Sequence, residues 1–307
     1  MSADWGSLAS ILCAAVPHGT QGGAALTLAA PLWQVPDVPL TRHARNREFA
    51  WEAHDGPFRR ITPAQAAAYD EAGFFVLEDA FDPATVGGMI AEIDPIEARV
   101  TAMLRGLPGG RAFIAEADAI TFSVHLVKHS SLLRAFCCGP VFQDLAHDLV
   151  GPNVRLYWDQ AVYKKPEKPQ RFPWHQDNGY AYVEPQQYLT CWIALTDATV
   201  DNGCPWVVPG VHRMGTLAHW MSDLGWQCLE APDDAVAVPV RAGSIVVLSS
   251  LTPHTTGPNL TASVRKAYIV QLAPDGARVI RDDGCTEQAN AADRQFPILC
   301  EGRPRSE

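Results

Sequence analysis

Basic clusters are missing from this chain. It carries 24 Lys and Arg against 34 Asp and Glu, a net charge of −10, and no basic group exceeds a pair or two. A nucleic-acid surface needs a basic stripe and an anionic membrane surface needs the same, so neither is an expected partner. Long apolar runs are missing too, since none approaches the roughly 18 to 20 residues of a membrane span. Met1 to Val16 contain Asp4 but no Lys or Arg, so the positive start of a signal peptide is absent. The expectation is a soluble, cytoplasmic protein. Eight cysteines (Cys13, Cys137, Cys138, Cys191, Cys204, Cys228, Cys285, Cys300) form no C-x-x-C and no regular framework. Structural zinc therefore has no support, and reduced thiols are expected, several of them in apolar runs where Cys behaves as a small hydrophobe. There is no internal repeat and no low-complexity tract, and nothing here reads out an oligomeric state.

What is present is a chain of 307 residues, 47% apolar, enough for one large core. Residues 1–56 read as an extension of uncertain order, with a proline-punctuated stretch at 31–39, and residues 57–307 as a single domain. Thr62-Pro63 predicts a capped helix that ends at Gly73, followed by the short strand Phe74 to Leu77. Asp82-Pro83 starts a second helix to about Leu104, with a break or kink expected at Pro95. Ala119 to Leu126 reads as a strand and Ser131 to Val150 as a helix. His125 and His129 have the spacing to share a helix face, but no Glu follows the first, so they are not read as a metal site.

From Val154 the pattern turns to β. Val154 to Lys165, Tyr188 to Leu195, Pro205 to Pro209, Val236 to Val240, Ser244 to Ser249 and Lys266 to Leu272 are strand candidates, divided by turns such as Asp201-Asn202-Gly203. Helices first and many short strands afterwards predict a mainly β fold with flanking helices, a barrel or jelly roll. The stretch from about Met214 to Pro239, with Trp220 and Trp226, is too long for a hairpin loop and is a candidate lid.

The chemistry centres on Trp174-His175-Gln176-Asp177. On a strand, His175 and Asp177 share a face and can take adjacent positions on one metal, although H-x-D alone is a common tripeptide. His254, 77 residues after Asp177 and just past an apolar strand, supplies the third group of a 2-His-1-carboxylate face, the arrangement of non-haem iron(II) sites. Arg265 stands eleven residues further on, at the mouth of another apolar strand, where a guanidinium suits a carboxylate. Ser263 can add a hydroxyl on the same strand face. If Lys164 points inward, period 2 brings Val162, Gln160 and Trp158 with it, and these four are substrate-pocket candidates, with barrel filling as the alternative. His212 is read either as a loop-stabilising hydrogen bond or as a group near the site.

In this order the residues resemble the phytanoyl-CoA dioxygenase family of iron(II)- and 2-oxoglutarate-dependent oxygenases. The likeness runs over about residues 62–275. It includes Gly73-Phe74-Phe75-Val76-Leu77, Trp174 to Asp177, Asp201-Asn202-Gly203-Cys204-Pro205-Trp206, Val208-Pro209-Gly210-Val211-His212 and His254 to Arg265. It implies a double-stranded β-helix (jelly roll, cupin-like) core. It also implies Fe(II) on His175, Asp177 and His254, with the distal carboxylate of 2-oxoglutarate on Arg265 and Ser263. Trp192 falls where the family often has a Trp beside the cosubstrate, with plain core packing as the alternative. Three protein ligands leave three positions on iron, two for the 2-oxo acid and one for O2. Related halogenases carry a small residue in place of the carboxylate, so Asp177 points to hydroxylation or a related oxidation of a small organic molecule, releasing succinate and CO2. The competing reading is a cupin-like isomerase or binding protein that uses another metal and needs no Arg265.

Overall fold

A computed structural model describes residues 40–169 and 172–305. The first helix, α1 (Pro63–Ala72), starts where the capping pattern places it. The Thr62 hydroxyl accepts from the Gln65 amide at 3.2 Å, and Gln65 Oε1 accepts from the Thr62 amide at 2.9 Å. Gly73 ends it at φ 83°, and a Cβ there would lie 2.5 Å from the Thr252 hydroxyl and 2.6 Å from His212 Nδ1. Strand β1 (Phe74–Leu77) follows, then α2 (Pro83–Arg105), capped by Asp82 and continuous through Pro95, so the expected break does not occur. After β2 (Ile120–Val124), the span expected as one helix is two, α3 (Ser131–Cys137) and α4 (Pro140–Leu149). Pro140 opens α4 and holds Gly139 extended, which stops the helix before it. His125 and His129 flank a short 3-10 turn and share no helix face.

The strands of the barrel come next: β3 (Val154–Lys164), β4 (Leu189–Ala194), β5 (Pro205–Val207), β6 (Val236–Ala237), β7 (Ile245–Ser249), β8 (His254–Thr256) and β9 (Arg265–Pro274). The major sheet runs β1–β7–β4–β9–β3–β2, all antiparallel, and a second sheet runs β6–β5–β8. Neighbours in space are distant in sequence, as in a jelly roll.

Alternation divides the major sheet cleanly. Ala161, Tyr163, Cys191, Ile193, Val247, Tyr268 and Val270 face the helices, where they pack with Met89, Ile93, Leu133, Phe142 and Leu145. Phe122, Val162, Trp192, Ala194, Val246, Leu248, Ala267 and Ile269 face the other way and meet Val207, Val238 and Val240 of the second sheet. That second face is the barrel interior. The seven described cysteines are free thiols, five of them buried or half-buried; Cys13 lies outside the described residues. Among the described residues no helix is long and apolar enough to cross a membrane. The described end of the 1–56 segment packs on the domain, through a bridge from Arg42 to Leu217 and the Trp51 indole N–H donated to Asp70 at 3.0 Å.

Candidate metal and cosubstrate site

His175 reaches the site by extending the second sheet. Its amide donates to the His254 carbonyl at 3.0 Å and its carbonyl accepts from the His254 amide at 2.8 Å, an antiparallel bridge that sets the two imidazoles side by side. Asp177 begins a 3-10 turn (Asp177–Gly179) rather than continuing a strand. The step across Gln176 is nevertheless extended, at φ −105° and ψ 144°, so Asp177 falls on the same side as His175. The period-2 argument holds for that one step although no regular strand exists.

His175 Nε2 lies 3.8 Å and His254 Nε2 3.9 Å from the same Asp177 oxygen, and ligand atoms of all three lie within 4.8 Å of one another. A free pair of His and Asp would close to hydrogen-bonding distance. This separation instead leaves room for an ion between them. The remaining atoms are tied. His175 Nδ1 donates to the Pro173 carbonyl and His254 Nδ1 to the Thr252 carbonyl, each at 3.0 Å, which leaves both Nε2 lone pairs aimed inward. The other oxygen of Asp177 accepts from the Thr190 hydroxyl at 2.5 Å. Burial, and then the neighbouring His254, hold the His175 pKa well below the ordinary range, so its imidazole is neutral as a ligand must be. Phe172 and Tyr180 pack edge-on against its ring, at 4.9 and 5.1 Å.

Between the ligands, Gln176 points the opposite way and is fully buried. Its amide nitrogen donates to the carbonyls of Gly215 (3.0 Å) and Leu251 (2.6 Å), and its oxygen accepts from Leu217 N at 2.6 Å. The Gln176 backbone N–H donates to His219 Nε2 at 3.0 Å. His219 in turn packs on Gly179, where a Cβ would sit 1.9 Å from its ring. The stretch expected as a lid is therefore pinned at its start, and again at Cys228, whose amide donates to Trp174 O at 2.8 Å. Its middle is a small hairpin, Trp220–Ser222 with Gly225–Gln227. Sequence reasoning missed Thr190, Gln176, His219 and Gly179. The parity of β4 signals Thr190, two residues before Trp192; the other three carried no signal.

Arg265 is fully buried, and none of its three guanidinium nitrogens has a hydrogen-bond partner. Burial pulls its pKa down only to about 10, so it stays charged at neutral pH. A buried, unpaired cation is costly, and a carboxylate is the group that compensates it. The Trp192 ring lies beside it, 5.2 Å from Cζ to the ring centroid, on the same interior face. Cosubstrate wall and core packing are here compatible roles for one side chain. Ser263 is not brought to this point. It is exposed, two residues before β9 begins, in a loop where Asn259 bonds its carbonyl. The shared-face argument fails because there is no strand at Ser263. Thr256, two residues after His254 on β8, shares that ligand's face, and its carbonyl accepts from Lys164.

Lys164, Val162, Gln160 and Trp158 do lie on one face of β3, but they divide in role. Lys164 pairs with Arg265 across the strands and donates to the carbonyls of Thr256 (2.9 Å) and Gly257. It sits at the Arg265 end of the strand, where burial and then Arg265 hold its pKa well below the ordinary lysine range. Val162 is buried among Phe122, Trp192 and Ile269. Gln160 and Trp158 remain half-open, bonded to each other at 3.2 Å. His212 is a loop residue: fully buried, it bonds the Asp70 carbonyl at 3.3 Å and packs edge-on to Trp51.

The family model of phytanoyl-CoA dioxygenase (PhyH) matches residues 69–267, well over half of the chain, and spans the His-Asp-His face and Arg265. The chain belongs to the phytanoyl-CoA dioxygenase family. It is 28% identical over 174 residues to the phytanoyl-CoA dioxygenase of Arabidopsis thaliana, covering 53% of this chain and 59% of that protein. It is 24% identical over 246 residues to the peroxisomal phytanoyl-CoA dioxygenase of Homo sapiens, covering 74% and 73%. Among solved structures it resembles EvdO2 from Micromonospora carbonacea var. aurantiaca complexed with 2-oxoglutarate, with TM-score 0.56, 25% identity, and 77% of this chain and 96% of that one covered. Phytanoyl-CoA dioxygenase-family membership makes the chain an iron- and 2-oxoglutarate-dependent oxygenase, with Fe(II), 2-oxoglutarate and O2 as its cofactor set. The donor set and the unpaired Arg265 fit those groups.

Proposed function

We propose that this protein hydroxylates, or otherwise oxidises at a C–H bond, a small organic molecule, with release of succinate and CO2. His175, Asp177 and His254 hold the iron. Arg265, with Thr256 beside it, holds the distal carboxylate of 2-oxoglutarate. The observation that carries the reading is the pairing of a His-Asp-His face with a charged guanidinium left without any partner in the same barrel. A metal-dependent isomerase or binding module that takes no 2-oxo acid has no use for that second feature.

Iron(II) on one protein face supplies, with O2 and the 2-oxo acid, the two-electron oxidation. This chain's own residues set where it happens. The bonds to Pro173 O and Thr252 O fix the histidine tautomers, and Thr190 fixes which Asp177 oxygen faces the metal. Asp177 keeps the third protein position filled, which favours oxygen rather than halide transfer. Arg265 makes its end of the barrel cationic, matching a carboxylate, while burial and then Arg265 hold the Lys164 pKa well below the ordinary lysine range, and Trp192, Phe122 and Ile269 keep the space between dry. Trp158 and Gln160 border the remaining room and are the substrate-facing pair.

Aerobic incubation of the Fe(II)-loaded protein with 2-oxoglutarate tests this. Slow substrate-free formation of succinate, lost in His254→Ala, is expected. No succinate above the level of free iron contradicts the reading.

A further inference from the structure

His125 is not used by the chemistry above, and it is an unusual residue. Three of the buried histidines among the described residues, His175, His212 and His254, have a ring nitrogen bonded to a backbone carbonyl. His125 is 5% exposed and neither of its ring nitrogens has a partner. Its backbone is left-handed, φ 55° and ψ 44°, a region uncommon outside glycine but one in which Asn, Asp and His are enriched. The Asp159 carbonyl accepts from its amide at 2.8 Å. Two unsatisfied buried nitrogens oppose placing a histidine here for packing alone.

Its position says what the ring faces. The imidazole stands edge-on to Trp158, centroids 4.3 Å apart. Trp158 lies on the interior face of β3, opposite Gln271 on β9, and Gln271 lies opposite Thr190 on β4. Thr190 is the residue that holds Asp177. The row Trp158–Gln271–Thr190 thus runs from His125 to the metal face over two strand spacings, about 10 Å. That is the reach of a small substrate. Tyr157, Val183 and Tyr188 form an apolar cluster against Trp158 on the same side. Arg265 and Lys164 lie at the opposite end of the strand, so this end is free of the cosubstrate.

We propose that His125 is a substrate-positioning residue that hydrogen-bonds a hydroxyl group on an otherwise apolar substrate packed against Trp158. Burial, then the nearby cations Arg294 and Lys128, push its pKa down to about 3, so the ring is neutral at physiological pH. A neutral imidazole has one donor and one acceptor. A carboxylate only accepts and an ammonium only donates. A hydroxyl does both and satisfies either nitrogen, whichever tautomer is present. The inference rests on the oxygenase reading and deepens it by naming a feature of the substrate.

The test uses the anaerobic Fe(II)–2-oxoglutarate complex and its weak visible absorption band, perturbed when a compound enters beside the metal. Matched pairs serve as probes: 2-indanol against indane, and 2-naphthol against naphthalene. In the wild type the hydroxylated member of a pair perturbs the band at a concentration about tenfold lower than its partner, the worth of one hydrogen bond. His125→Phe forms the band but loses the preference. His125→Asn, which tolerates the left-handed backbone and keeps a donor and an acceptor, recovers part of it. Equal response to both members, no response to either alcohol, or a preference kept in His125→Phe overturns the proposal. Absence of the band itself in the wild type is a different result and counts against the iron and 2-oxoglutarate assignment instead.

Discussion

The two ends of the barrel interior solve opposite problems. At the metal face every ligand has its second atom committed: His175 to Pro173, His254 to Thr252, Asp177 to Thr190. At the far end Arg265 has nothing committed, and its charge is left for a partner the protein does not contain. Where bonds are complete, the chain has fixed a geometry. Where they are missing from a buried group, it has reserved a place for a ligand. His125 falls in the second class and is the reason to look for a substrate group there.

Breaking the open end has the largest effect. Arg265→Ala leaves the iron ligands intact and removes the charge that a carboxylate meets. The 2-oxoglutarate concentration for half-maximal succinate formation rises about 100-fold, the cost of truncating a buried charge pair, while iron stoichiometry by metal analysis stays unchanged. Loosening the closed end costs less. Thr190→Val releases one Asp177 oxygen, and iron affinity in a competitive chelator titration falls about 10-fold. Gly179→Ala leaves both ends in place and drives a methyl into the His219 ring. It destabilises the fold by about 1–3 kcal/mol, read as a lower urea midpoint.

A pH titration separates buried groups that are bonded from those that are not. His212 and His125 have pKa values pushed down by burial to about 4 and about 3. An unfolded histidine titrates near 6.5, so below that pH the unfolded chain takes up protons that these folded rings refuse. Their contribution is at its full value above about pH 6.5 and is lost as pH falls towards 4, at about 1.4 kcal/mol per unit for each ring. The metal-free protein therefore shows a urea midpoint that drops through that window. His212→Asn and His125→Asn each flatten the drop.

The metal face was legible because its spacing survives small errors. His175 and Asp177 need one extended step between them, and His254 needs only to follow an apolar strand. The helix at Pro63 was legible for a similar reason, since Thr62 and Gln65 act within four residues. Ser263 was misplaced because parity arguments require knowing where a strand begins, and β9 begins two residues later. Lys164 was placed on the right face, but the two carbonyls that accept from its amine come from the end of a distant strand and the residue after it, which the pattern does not show. The single helix expected over 131–150 split at Pro140, whose position there argued for a break at the outset. Gln176 acts through contacts far apart in sequence, which no local pattern encodes, whereas Thr190 could have been read from the parity of β4.

The most direct test of the central claim is an anaerobic titration of the Fe(II)-loaded protein with 2-oxoglutarate, followed by visible absorption. The account predicts a weak charge-transfer band that saturates at one 2-oxoglutarate per iron. It predicts no band in His175→Ala and a band in Arg265→Ala only at much higher 2-oxoglutarate. A wild-type protein that binds iron but gives no band, or an Arg265→Ala protein that titrates like the wild type, contradicts it.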